Sequence, residues 1–252
     1  MRVTSPFSHN RWEDRLRDSP RITANHIRKF QKEVTSCYRA KGRTFFWRKN
    51  SLSPWKWLVL ELLLKRTRAE AVEKFFPPFI AKYHGPSIVT ETTKLELTRD
   101  LKHLGLGKQR CIALKLIAGE ILERFDGRVP PDRMSLASLP HVGLYISNAV
   151  LCFCYGQRTP VVDSNVARVL SRVYGLRTPK DARDESMWAL AERVLPKNSW
   201  REYNYGLLDI GATVCKTKEP KCPQCCLEGL CAYATWMRRR RNALFRKKRD
   251  RS

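Results

Sequence analysis

Residues 135–175 read SLASLPHVGLYISNAVLCFCYGQRTPVVDSNVARVLSRVYG, and their alternation of helical spacing with short breakers decides the fold. Apolar residues recur at helical spacing over 144–155 and again over 164–174, with LPHVG (139–143) opening the first helix. A turn that ends in Gly143 before a helix directs backbone N–H groups and the positive helix end outward. That geometry suits a phosphate, although an ordinary tight turn has the same sequence. Asp163 stands just before the second helix, where an aspartate is a natural N-cap.

The helical reading extends in both directions. Residues 22–42, ITANHIRKFQKEVTSCYRAKG, carry helical spacing and end at Gly42. Ser53 followed by Pro54 predicts a helix start, and WKWLVLELLLKR behind it is apolar nearly all round, so it should be a buried helix. Thr67 and Glu70 form a capping-box pattern opening AEAVEKFFPPFIAKY, which Pro77 and Pro78 should interrupt. Helical patterns recur at 92–104, 108–125, 183–195 and 199–213. Strand alternation is almost absent, with 159–162 a short extended candidate. The expectation is an all-α protein of about ten helices.

Glu61 lies inside the apolar run LVLELLLK, where an ionised carboxylate is costly unless paired. Desolvation there favours the protonated acid, which can donate a proton near neutrality; a Glu bonded to a neighbouring helix at a polar notch is the plainer alternative.

Four cysteines follow the spacing Cys215-x6-Cys222-x2-Cys225-x5-Cys231 within TVCKTKEPKCPQCCLEGLCAY. Thiolates this close converge on one point, while Pro220, Pro223 and Gly229 let the chain wrap around a centre. Spacing alone leaves zinc and a [4Fe–4S] cluster both open. Cys226 is able to replace Cys225 as the third ligand.

The chain has 252 residues, with 49 Lys and Arg against 24 Asp and Glu, a formal charge of +25. Such an excess points to a polyanion partner, nucleic acid first and anionic membrane second. No apolar run approaches the roughly 20 residues of a membrane span, and the start lacks the apolar centre of a secretory signal. Nine cysteines fit a reducing compartment and a metal site, so an intracellular protein without membrane attachment is expected. Residues 1–20 read as a basic flexible N-terminus and 236–252 as a basic tail, disordered or loosely helical.

Together, FFWR, ELLLKRT, LPHVGLY, VVDSNVARVL and the cysteine loop resemble the iron–sulfur branch of the helix-hairpin-helix DNA glycosylases, the endonuclease III superfamily. The match covers roughly residues 45–231. It implies two helical domains flanking a DNA-binding cleft. A six-helix barrel would span 51–157, and residues 21–50 with 158–235 would form the cluster domain. It also favours a [4Fe–4S] cluster over zinc on Cys215, Cys222, Cys225 and Cys231.

Within that superfamily the motifs are similar to the adenine-DNA and thymine-mismatch glycosylases. The resemblance implies Asp163 as catalytic carboxylate and Glu61 as the acid assisting departure of the base. It puts Tyr145 where bifunctional relatives carry a Schiff-base lysine, which predicts a monofunctional enzyme. Tyr145 is expected to orient Asp163, and Asn165 to position water or the sugar. Lys65 and Arg66 fall in the intercalation region, with Arg66 the candidate wedge. His141, Val142 and Gly143 of the hairpin, with Lys216, Lys218 and Lys221 of the cluster loop, are expected to meet DNA phosphate. His141 stands where the hairpin more often has a glycine, which puts a hairpin-bound cation in doubt.

Adenine glycosylases of this subgroup carry LQQT after the Glu and a further domain reading 8-oxoguanine. LKRT, and an end about twenty residues after the last cysteine, favour thymine or uracil opposite guanine, acted on in double-stranded DNA by a monomer. Adenine opposite guanine or 8-oxoguanine is the alternative substrate. A non-catalytic iron–sulfur DNA-binding protein is the rival of another class.

Overall fold

The computed structural model describes residues 22–49, 51–177 and 184–249, so the expected flexible stretch 1–20 lies outside the described residues. The α-helices among the described residues are α1 (Ala24–Lys41), α2 (Phe46–Lys49), α3 (Pro54–Leu64), α4 (Ala69–Lys82), α5 (Pro86–Glu91), α6 (Lys94–Leu101), α7 (Gly107–Phe125), α8 (Arg133–Ser138), α9 (Leu144–Phe153), α10 (Ser164–Tyr174), α11 (Glu185–Val194), α12 (Trp200–Asp209) and α13 (Ala232–Arg249). No strand occurs among the described residues, and 159–162 is extended without joining a ladder. The all-α expectation holds. The helices beyond ten include α2, α5 and α8, each six residues or shorter and too brief to carry a periodic signal.

Two compact units divide the chain, residues 44–159 and residues 1–43 with 160–252. Residues 44–49, expected with the cluster domain, belong to the first unit. There Phe46 stacks on Phe76 with ring centroids 5.7 Å apart, and its N–H donates to Glu73 Oε1 at 3.2 Å.

The 44–159 unit is organised around α3. Ser53 accepts from the Lys56 N–H and Pro54 fills the first turn, as the sequence predicts. Trp55 and residues 57–63 are all buried, which is why this helix has no polar face. Trp57 stacks on Phe153 of α9 at 5.2 Å, and Trp55 Nε1 donates to Tyr83 O at 3.0 Å.

Two local expectations fail in α4. The helix runs unbroken through Pro77 and Pro78. Both prolines are exposed, so water can satisfy the carbonyls of Glu73 and Lys74 that their missing N–H groups release. The Thr67–Glu70 capping box does not form either. Arg68 is the N-cap and makes no side-chain cap bond, because the Thr67 hydroxyl accepts from Arg110 instead.

In the other unit, α1 lies against α12 and α10 supplies the centre of the core. Phe30 sits edge-on to Tyr174 and Tyr203, with centroids 5.5 and 5.9 Å away. All three are within 2% of complete burial, and cutting Phe30 to alanine should cost about 3–5 kcal/mol. Gly206 allows the α1–α12 approach: a Cβ there would meet Val34 O at 2.8 Å. Residues 236–249 of the tail continue as helix. Helix α13 starts straight after Cys231, and Arg172 of α10 lies 4.5 Å over the ring of its Tyr233.

Candidate active site

Asp163 is the N-cap of α10, and both carboxylate oxygens are engaged. Oδ1 accepts from the Val166 N–H at 2.7 Å and Oδ2 from Asn165 Nδ2 at 2.8 Å. Capping and a functional role are thus compatible, since a half-buried carboxylate is fixed at the positive end of a helix, where negative charge is favoured. Asn165 is held in turn. Its Oδ1 accepts from Arg168 at 2.8 Å, and a Cβ on Gly211 would lie 2.8 Å from its own Cβ, so the backbone after α12 packs against it.

Arg168 extends this network into the cysteine loop. The guanidinium donates to Cys215 O at 2.8 Å and to Gly211 O at 2.9 Å. One helical turn on, Arg172 donates to Lys216 O at 2.7 Å and Thr217 O at 3.1 Å, and reaches Cys215 Sγ at 3.4 Å. Sequence reading missed both arginines. Their spacing from Asn165 on one face of α10 was available, but what they face was not.

Cys215, Cys222, Cys225 and Cys231 line one pocket, with Arg172, Pro220, Leu227 and Tyr233 among its other walls. Cys226 does not line it. Its thiol donates to Cys225 sulfur, which brings the Cys225 thiol down to about 7 and holds Cys226 above the usual thiol range. Cys226 also meets Cys37 of α1. Burial pushes Cys231 up to about 11 and raises Cys222 as well. The geometry therefore separates Cys225 from Cys226. No group of three or more His, Cys, Asp or Glu side chains is gathered for a single metal ion among the described residues.

Glu61 lies in the third turn of α3 at 4% exposure, so the expected desolvation is present. Tyr145 is half-buried in the first turn of α9. In the hairpin, His141 adopts φ 62°, the left-handed conformation that favours glycine, and its side chain is exposed. Gly143 is the N-cap of α9 with extended backbone, φ −87° and ψ −179°, and a Cβ there would meet nothing within 4 Å. Neither conformation nor protein packing requires glycine at 143.

The Val142 side chain is 4% exposed and its N–H donates to Leu139 O at 3.2 Å, so it anchors the turn. Lys65, Arg66, Lys216, Lys218 and Lys221 are all exposed. Arg66 has φ 61°, and Leu106, a residue the sequence reading passed over, has φ 53° and is 40% exposed before α7.

The pattern of the HhH-GPD superfamily of base excision DNA repair proteins matches residues 59–194. The chain belongs to this superfamily. A thymine/uracil-DNA glycosylase of Methanothermobacter thermautotrophicus is 34% identical over 205 residues, which cover 81% of this chain and 92% of that one. An adenine DNA glycosylase of Mycobacterium tuberculosis is 34% identical over 201 residues, covering 78% of this chain and 64% of that one. The solved structure of a thermostable thymine-DNA glycosylase superposes with a TM-score of 0.79 at 34% identity, covering 84% of this chain and 98% of that one. As an HhH-GPD member with these relatives, the chain is a DNA N-glycosylase of base excision repair, and its all-helical fold is that of the superfamily. No helix among the described residues is long and apolar enough to cross a membrane.

Proposed function

We propose that this HhH-GPD protein is a monofunctional glycosylase that releases thymine or uracil opposite guanine from double-stranded DNA, acting inside the cell as a monomer. The observation that carries the reading is the Asp163 carboxylate, fixed by the Val166 N–H and Asn165 at the start of α10. Breaking the glycosidic bond builds cationic character on the sugar and negative charge on the departing base. An ionised, pre-oriented carboxylate stabilises the first.

In this mechanism the electron pair of the C1′–N bond leaves with the base. A protonated Glu61 gives its proton to that base, directly or through a hydrogen bond that strengthens as charge develops. Water adds its oxygen to C1′ and loses a proton to Asp163, leaving an abasic site and a free base. Asn165 keeps Asp163 in place. Tyr145 offers no amine for a Schiff base, so little or no strand cleavage accompanies the reaction.

Cys215, Cys222, Cys225 and Cys231 fit a [4Fe–4S] cluster, since all four line one pocket while Cys226 turns towards Cys37. The spacing Cys215-x6-Cys222-x2-Cys225-x5-Cys231, which resembles the superfamily's iron–sulfur loop, favours the cluster over a single zinc. The cluster's part is structural, shaping a loop that exposes Lys216, Lys218 and Lys221 to DNA phosphate. Gly143 and the N-terminus of α9 receive another phosphate, with His141 beside them. Lys65 and Arg66 contact the opened duplex, Arg66 filling the gap.

Single-turnover release from matched duplexes holding T:G, U:G, A:G or A:8-oxoguanine tests the reading. Thymine or uracil release supports it. Adenine release alone favours the second reading, an adenine glycosylase, for which the 34% identity to the M. tuberculosis enzyme speaks. Tight duplex binding without release of any base would support the non-catalytic rival.

A further inference from the structure

Arg110, in the first turn of α7, is 6% exposed and has no role in the chemistry above. Its guanidinium donates to Leu104 O at 2.8 Å, Gly105 O at 2.6 Å, Leu63 O at 3.1 Å, Lys65 O at 3.1 Å and the Thr67 hydroxyl. All five acceptors are neutral. Two come from the turn after α6 and three from the end of α3 and the loop behind it. A buried cation without a carboxylate is normally costly, and burial lowers the Arg110 pKa here. The charge is balanced by carbonyl dipoles at two helix C-termini that converge on it.

The two segments so joined share a second feature. Arg66 follows the carbonyl of Lys65 at φ 61°, and Leu106 follows the carbonyl of Gly105 at φ 53°. Each left-handed non-glycine residue costs about 1–2 kcal/mol and persists only where its surroundings hold it. Both residues are exposed. One rigid fork thus fixes the backbone on the N-terminal side of two strained, outward-facing residues. A lysine, with three donors at one point, cannot meet five acceptors from separate segments.

We propose that Arg110 is a positioning residue for base extrusion, clamping the 65–67 loop to the 104–105 turn so that Arg66 and Leu106 meet the duplex at one fixed spacing. The inference rests on the glycosylase reading, because it assigns Arg110 to the step that opens the helix before the bond is cut. Loosening the clamp slows opening and leaves the later chemistry intact.

The test compares wild type with Arg110→Lys on two DNAs under saturating single-turnover conditions. One holds the target base in a mismatched pair; the other holds it in a bulge, already unpaired. The expected result is a loss of about tenfold or more on the paired target and less than about threefold on the bulge. Equal loss on both, or none on either, overturns the proposal. Thr67→Val removes one acceptor and keeps the charge, so it reads the same split if Arg110→Lys does not fold. Fluorescence of 2-aminopurine at the target position reports opening without any base release. If wild type releases no base yet raises this signal, the glycosylase reading fails while the clamp remains tested: absence of the rise in Arg110→Lys supports it and an equal rise overturns it. Wild type giving neither base release nor a rise overturns both.

Discussion

Asn165 Nδ2 donates to Asp163 Oδ2 at 2.8 Å, within the same helical turn whose Val166 N–H occupies the other oxygen. The carboxylate is therefore held by one backbone and one side-chain donor and cannot rotate freely. Asp163→Asn should separate folding from chemistry. Asparagine caps a helix about as well as aspartate, so the melting temperature should change little. Without the negative charge, base release should fall by roughly 10³-fold. Unchanged release would remove Asp163 from the mechanism.

Arg168 joins Asn165 to the carbonyls of Cys215 and Gly211. Arg168→Met leaves these acceptors without their donor in a half-buried setting, at about 1–3 kcal/mol. With Asn165 free to turn, base release should drop about tenfold even in the fraction that stays folded. Single-turnover rates normalised to active enzyme, beside a thermal melt, measure the two effects. A melt shifted at full rate would make Arg168 a purely structural link.

The cysteine loop gives a sharper contrast. Cys225 lines the pocket and Cys226 does not. Cys225→Ser should purify with reduced iron and sulfide and a weakened visible absorbance, whereas Cys226→Ser should keep all three. Full iron content in Cys225→Ser with loss in Cys226→Ser would exchange their roles.

Much of this was legible in the sequence. Ser164–Tyr174 matches its predicted bounds because Asp163 and Gly175 punctuate both ends, and Ser53-Pro54 marks the start of α3 for the same reason. The hairpin more often has a glycine where this chain has His141, and the left-handed φ of 62° there gives the physical reason. Three things were hidden. The Thr67 hydroxyl went to Arg110 through a contact 43 residues away, which no local pattern encodes. Pro77 and Pro78 resemble helix breakers because the sequence does not reveal that their side of α4 faces water. The choice between Cys225 and Cys226 depended on a thiol in α1, distant in the chain.

Asp100 provides a test of pH linkage away from the site. Lys82 Nζ donates to its Oδ2 at 2.7 Å and Tyr83 Oη at 2.9 Å, and the Lys82 bond is the main cause holding the carboxyl below its ordinary value. A carboxylate depressed in the folded state adds stability above the unfolded pKa, and that contribution is lost as pH falls through the folded value. Asp100→Asn should therefore cost less than about 1 kcal/mol at pH 7, the Lys82 partner being largely exposed, and nothing once the pH has fallen below the depressed folded value. Melts of both proteins across pH 2–7 should converge at the acid end; a constant gap would mean that the charge is not responsible.

Gly143 separates a reason inside the protein from one outside it. Its backbone is extended, so alanine is conformationally allowed, and an added Cβ meets no atom within 4 Å. Gly143→Ala should lose only capping quality, under about 1 kcal/mol or a few degrees in Tm. If a DNA phosphate approaches the start of α9 at this point, the methyl group holds it off and weakens its bonds to the amides. Duplex affinity should then fall about tenfold with little change in stability, and the dependence of log Kd on log salt should flatten by up to about one ion. Equal affinity for the two proteins across the salt series would mean that no phosphate comes close to Gly143.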